Sequence, residues 1–364
     1  MNPLLLATAL ALPLPADTGS ADTTAARPQV TFGAFADVYY AWDAGRPRLL
    51  DRPFTTQPAR HNEFNANLVF VEAKLTGERV RGRLALQAGT SVQANYAGEP
   101  SVGRISGPDL LRHVQEATVG VQVTPSIWLD GGIYFSPVGF EGWISRDNPT
   151  YTRSLVADYT PYYLSGVKAT WALAPTVTAQ AHLVNGWQNV SETNGDKAVL
   201  VRVDWQATPA LLLAIGGFAG NEQPDSVPAR LRRYQQLLAR WTPAGGWELS
   251  GVFDLGVQAV PNAPAHTWHG GTVIVRKALD ARWRMVVRAE RFVDRGQVVV
   301  STGTPDGFAT WSGSLGADMQ VNAHVLWRSE VRLFDSSDPV WPRRGAAAGA
   351  RQGGFLVTSL ALSL

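Results

Sequence analysis

Few residues of this chain have the types and spacing for bond-making chemistry. His266 and His269 form an H-x-x-H pair, but on a strand residues three apart face opposite sides, so the two cannot share a metal unless the segment is a loop. No H-E-x-x-H, G-x-S-x-G or G-x-x-x-x-G-K-[ST] motif occurs. Gly216, Gly217 and Gly220 lack dinucleotide-binding spacing. With no Cys in 364 residues, thiolate zinc sites, iron–sulfur clusters and cysteine nucleophiles are excluded. The expectation is therefore a non-enzyme with no metal and no cofactor. What remains is a large set of Arg, Asp and Glu interleaved with apolar residues. The chemistry of such a set is electrostatic, because fixed charges pair with one another and attract ions of opposite sign.

The elements that position these charges have a period of two. In Val80 to Ala88, the side chains of Val80, Leu84, Leu86 and Ala88 share one face, with Arg81, Arg83, Ala85 and Gln87 on the other. Trp283, Met285, Val287 and Ala289 alternate with Arg284, Arg288 and Glu290, and Val325, Trp327, Val331 and Leu333 with Arg328, Glu330 and Arg332. These segments run roughly 10–14 residues, longer than the usual 5–6 of soluble sheets.

Composition agrees. Charged residues make up 17% and apolar residues 45%, against about 25% charged in soluble proteins. The balance of 32 Lys and Arg against 30 Asp and Glu makes no case for nucleic acid. Pro3 to Pro15 has the length of a signal-peptide apolar region and is too short to span a bilayer as a helix. The expectation is a signal peptide over residues 1–21, cleaved after Ala16 or Ala21, and a single β-barrel domain over 22–364.

Turn signals divide the strands into a pattern of short and long connections. Short turns are expected at 76–79, 124–126, 174–176, 208–210, 242–246, 279–281 and 320–322. Long loops are expected at 43–61, 94–109, 137–160, 188–196, 220–228, 260–266, 295–307 and 335–352. That arrangement predicts an all-β fold: a transmembrane antiparallel up-and-down barrel of about 16 strands, with short periplasmic turns and long extracellular loops. A closed barrel is required because unpaired backbone groups are not tolerated in hydrocarbon. Tyr39, Tyr40, Trp42, Tyr162, Tyr163, Trp171, Trp205, Trp241 and Trp247, near strand ends, are expected in the interfacial girdles.

Three stretches carry a family resemblance. Arg52 to Tyr96, Phe135 to Trp171 and Leu183 to Asn189 resemble the β-barrel porins of the outer-membrane-protein-L-like family. The resemblance implies a Gram-negative outer-membrane porin: a water-filled channel for passive diffusion of ions and small hydrophilic solutes, with the lipid bilayer as its partner. A homotrimer is common among porins of this size, and no nucleic acid is involved. The expected wall-lining residues are Arg81, Arg83, Glu116, Asp130, Arg202, Asp204, Arg284, Arg288, Glu290, Arg328, Glu330 and Arg332. Lys168, Arg240, Arg276, Glu248, Asp254 and Asp318 face the same way. The third long loop is expected to fold inward as a constriction, with Glu141, Arg146, Asp147 and Arg153 meeting solutes. The alternatives are a barrel with a plugged lumen and a structural or adhesive role, and a barrel hydrolase with a Ser/His or Asp/His pair at one rim.

Overall fold

Alternation places every second side chain on the same face, and long alternating segments can satisfy their backbones only by pairing laterally. The computed structural model describes residues 27–345 and 348–364, and the expected signal segment lies outside them. The strands are β1 (Gln29–Asp43), β2 (Phe64–Thr76), β3 (Val80–Ala88), β4 (Val114–Thr124), β5 (Ile127–Phe135), β6 (Tyr163–Ala174), β7 (Val177–Val184) and β8 (Ala198–Thr208). They continue as β9 (Leu211–Asn221), β10 (Leu231–Trp241), β11 (Trp247–Val260), β12 (Ala263–Ala278), β13 (Trp283–Asp294), β14 (Phe308–Gln320), β15 (Val325–Ser336) and β16 (Gln352–Ser363). Each pairs antiparallel with its chain neighbours. β1 closes on β16, from Phe35 opposite Ser363 to Asp43 opposite Phe355, so no sheet edge is left unpaired.

All seven short turns fall where the turn residues predict them, at one end of the barrel with both described chain ends. All eight of these connections lie at the other end, and seven of them are long as expected. The eighth, at 260–266, is a correction. β11 and β12 run on as a hairpin extension, and only Pro261 and Asn262 form the turn, with Asn262 at φ 55°. Ala263 to His266 look loop-like in sequence, but the ladder from β11 continues to Val260 opposite Ala263.

The apolar faces point outward. Leu84, Leu86, Val119, Val121, Phe253, Val287, Val331 and Leu356 are all exposed. This apolar surface is far larger than the patches a water-soluble monomer shows. Tyr40 is half-buried and points outward, while Trp42, Trp171, Trp205, Trp241 and Trp247 are exposed at strand ends, joined by Trp283 and Trp311. Tyr39, Tyr162 and Tyr163 instead point inward and are buried, which corrects their assignment to the girdle. Tyr39 has the inward parity of Asp37 on β1, and Tyr162 and Tyr163 pack under the loop that precedes β6.

The interior holds what the loops bring in. After β3, Gly89 at φ 136° turns the chain inward into α1 (Thr90–Asn95). A Cβ there would lie 2.3 Å from the carbonyl oxygen of Asn67. The same connection carries α2 (Pro108–Leu111). The third long connection, residues 136–162, descends into the lumen and carries α3 (Leu155–Asp158), capped by Ser154, whose hydroxyl accepts from the Ala157 N–H at 3.4 Å.

Candidate functional site: the charged lumen and its inserted loop

The lumen divides into two halves of different character. At the short-turn end, β2 to β13 present polar side chains that water reaches. Arg81 forms a two-pronged pair with Asp130 at 2.6 and 2.5 Å, and its guanidinium lies over the Trp128 ring. Gly120 makes room for this pair, since a Cβ there would sit 2.1 Å from the Asp130 Oδ1. Arg83 bridges Glu72, at 2.6 Å, and Glu116. Arg202 pairs with Asp204 at 2.7 Å and donates to the Gly139 carbonyl at 2.8 Å, so it also holds the start of the third loop. Arg240 and Arg276 share one carboxylate, Glu248.

Cations exceed carboxylates here. Lys168 lies 4.7 Å from the centre of the Tyr134 ring. Arg284 stands opposite Asp318 in the β13–β14 register, but that carboxylate is held by Arg328 at 2.8 Å. Most charges on this wall are paired along and across strands, and among the described residues Lys168 and Arg284 make no salt bridge.

The other side of the lumen is dry. Arg288, Glu290, Arg328, Glu330 and Arg332 all point inward, as the alternation predicts, and all are buried beneath the third loop. Arg332 reaches Glu290 at 2.5 Å, and Arg288 reaches Glu330 at 2.8 Å and Glu290 at 3.3 Å. The loop backbone completes this network. Glu330 accepts from the Thr152 N–H at 2.8 Å, Glu290 from the Leu155 N–H at 2.6 Å, and Arg332 donates to the Arg153 carbonyl at 2.9 Å. Arg328 donates to the carbonyls of Ser145 and Pro149 at 2.5 and 2.9 Å. Burying charges is costly unless they are paired and hydrogen-bonded. The loop supplies the missing bonds, so it and the wall are complementary.

The four loop residues expected to meet solutes occupy two environments. Glu141 is buried and accepts from the Ser154 N–H at 3.0 Å and from the Ser154 hydroxyl. Burial pushes its carboxyl above the usual range. Arg153 is 2% exposed, lies over the Tyr162 ring and donates to the Ala157 carbonyl at 2.5 Å. Arg146 and Asp147 lie at the far tip of the loop, at the short-turn end. Arg146 donates to Ser363 Oγ at 2.5 Å and to the Ala323 carbonyl at 3.0 Å, and Asp147 is exposed. The loop therefore reaches the full depth of the barrel.

At the long-loop end, the lumen is filled with aromatic and apolar side chains that the charge pattern does not reveal. Trp187 packs edge-on against Phe218, Tyr234 and Trp268, with centroids 4.9, 5.0 and 6.2 Å apart. Phe308 contacts Phe54 and Phe292, and Trp341 stacks on Phe334 at 4.2 Å. The only sequence signal was that Phe218, Tyr234, Trp268, Phe292, Phe308 and Phe334 have inward parity.

A closed barrel of 16 antiparallel strands with an apolar exterior, a charged interior and an inserted third loop defines the porin class of outer-membrane proteins. Residues 29–363 match the family described as "Putative beta-barrel porin-2, OmpL-like", and the chain belongs to that family. It is thus a Gram-negative outer-membrane protein, with the short turns at the periplasmic end and the long loops at the extracellular end. No curated protein matches the sequence.

Solved structures share the fold. An anion-selective porin from Comamonas acidovorans is 11% identical, with a TM-score of 0.59 over 93% of this chain and 100% of that one. The outer membrane channel DcaP of Acinetobacter baumannii is 10% identical, with a TM-score of 0.59 over 93% and 97%. OmpT of Vibrio cholerae is 9% identical, with a TM-score of 0.60 over 93% and 98%.

Proposed function

We propose that the protein is a passive diffusion channel for ions and small hydrophilic solutes, with a preference for anions. The observation that carries this reading is the water-accessible vestibule in the periplasmic half. There Lys74, Arg81, Arg83, Lys168, Arg202, Arg240, Arg276 and Arg284 face Glu72, Glu116, Asp130, Asp204, Glu248 and, in the register row of Arg202, Asp254. An excess of fixed cations in a confined, low-dielectric space raises the local anion concentration. In this reading Arg146 and Asp147 are the loop charges that solutes meet at the periplasmic mouth. Glu141, Arg153 and the buried arginines and glutamates of β13 and β15 hold the loop in place.

A second reading, a barrel with a plugged lumen and a structural role, is favoured by the apolar layer across the extracellular half. Reconstitution into planar bilayers separates the two. A channel gives discrete conductance steps and, in a salt gradient, a reversal potential of the sign set by anion flow. A plugged barrel gives neither. The assembly that we propose is a homotrimer, and cross-linking in native membranes tests it.

A further inference from the structure

One cleft lies outside the lumen. It lies at the extracellular rim between the first and last long loops and has a volume of about 1020 Å³. Arg46 and Arg48 line it from the first loop, and Arg343 and Arg344 from the last. All four are exposed. Among the described residues none of them makes a salt bridge, and the nearby carboxylates Asp43 and Asp51 are engaged by Arg52 and Arg60. The two loops are held together tightly. The Arg344 N–H donates to the Gly45 carbonyl at 3.0 Å, and a Cβ on Gly45 would lie 2.3 Å from the Pro342 carbonyl oxygen. The arginines are therefore gathered by the fold.

Directly below, a second groove of about 520 Å³ shares Trp42, Pro342 and Arg343 with the first. Its floor is the outward face of β15 and β16, including Val331, Leu333 and Leu356. These side chains are exposed and apolar and lie in the lipid-facing band. Trp42 marks the boundary, with the Arg46 guanidinium 5.7 Å from its ring centre. A cationic cleft at the water interface that continues into an apolar groove within the membrane has the two-part shape of an amphiphile. Arginine forks match phosphate oxygens, and an arginine–tryptophan pair suits the headgroup level.

We infer that this composite cleft binds an anionic lipid of the outer leaflet. Its phosphate-bearing head lies among Arg46, Arg48, Arg343 and Arg344, and an acyl chain lies along Leu333 and Leu356. A free phosphorylated solute would use the upper cleft alone and would leave the groove on the wall unused. The inference rests on the outer-membrane placement and is independent of whether the lumen conducts.

The test uses the full chain in phosphatidylcholine nanodiscs carrying a trace of a fluorescent bis-phosphorylated acylated disaccharide. Parallel arms use the same disaccharide lipid without phosphates, and inorganic pyrophosphate added to the protein in detergent. The phosphorylated lipid should bind at least about tenfold more tightly than its dephosphorylated form. Combined Arg46→Gln, Arg48→Gln, Arg343→Gln and Arg344→Gln should remove that preference. Leu333→Asn should weaken lipid binding, and Arg79→Gln with Arg282→Gln at the periplasmic turns should leave it unchanged. Heat-modifiable gel migration establishes that each variant is folded. Equal binding of the two lipids, or a quadruple variant that binds like the parent, would overturn the inference. So would pyrophosphate bound as tightly as the lipid. Conductance of the same preparations reports separately on the channel reading.

Discussion

Arg332 on β15 reaches Glu290 on β13 at 2.5 Å, across the inward face of β14, and both are fully buried. Their contact is sealed by the third loop, whose Leu155 N–H and Arg153 carbonyl bind the same two side chains. Removing either partner leaves the other buried with fewer bonds, Glu290 with Arg288 at 3.3 Å and Arg332 with the Arg153 carbonyl. Breaking such a buried pair typically costs about 3–5 kcal/mol. Glu290→Gln and Arg332→Leu should therefore lower the temperature at which the folded band disappears on a heat-modifiable gel. They should also admit protease to residues 136–162, as read by mass spectrometry of the fragments. Unchanged cleavage would show that the loop is held by other contacts.

The vestibule predicts a sign. Wild-type protein in a potassium chloride gradient should give a reversal potential on the anion side. Arg240→Gln together with Arg284→Gln should lower the anion-to-cation permeability ratio by about twofold, since two of the cations in excess are removed. High ionic strength should shrink the difference, because screening acts within about 10 Å at 0.1 M salt. A cation preference in the parent would refute the assignment.

The aromatic layer predicts the limiting resistance. Trp187 fills the space between Phe218, Tyr234 and Trp268. Trp187→Ala opens a void at the extracellular side of the lumen and should increase single-channel conductance, with little change in ion preference. Trp205→Ala, on the outward face, should leave conductance as it was.

Acidity should tighten the loop. Burial raises the carboxyls of Glu141 and Asp158 above their ordinary values. A raised carboxyl means that the folded state binds protons more readily than the unfolded one. Its contribution to stability is fully present below the unfolded value and is lost as pH rises through the folded one. Protease accessibility of residues 136–162 should therefore be lower at pH 4 than at pH 7. Glu141→Gln with Asp158→Asn should flatten that dependence.

Much of this molecule is legible in the alternation. Leu84 and Arg83 belong to opposite faces whatever the rest of the chain does, because adjacent strand residues point oppositely. The proline- and glycine-bearing turns mark the periplasmic ends for an equally local reason. The extension of β11 and β12 is not legible locally, because Pro261 and Pro264 read as turn residues while the partner that keeps Ala263 to His266 extended lies on β11. The burial of Tyr39, Tyr162 and Tyr163 is hidden for a similar reason, because proximity to a strand end does not say which way an aromatic ring faces.

The chain's sequence determined a closed barrel of about 16 strands and the parity that sends each charge inward. The path of residues 136–162 through the lumen was decided only in three dimensions. A loop has no period, so nothing local says whether Arg328 and Arg332 meet water or the carbonyls of Ser145 and Arg153. That choice depends on the buried charges finding partners 130 or more positions away in the chain, and it separates the wet half of the wall from the dry one. The same holds at the rim, where Arg46 and Arg343 share a cleft only because β1 closes on β16.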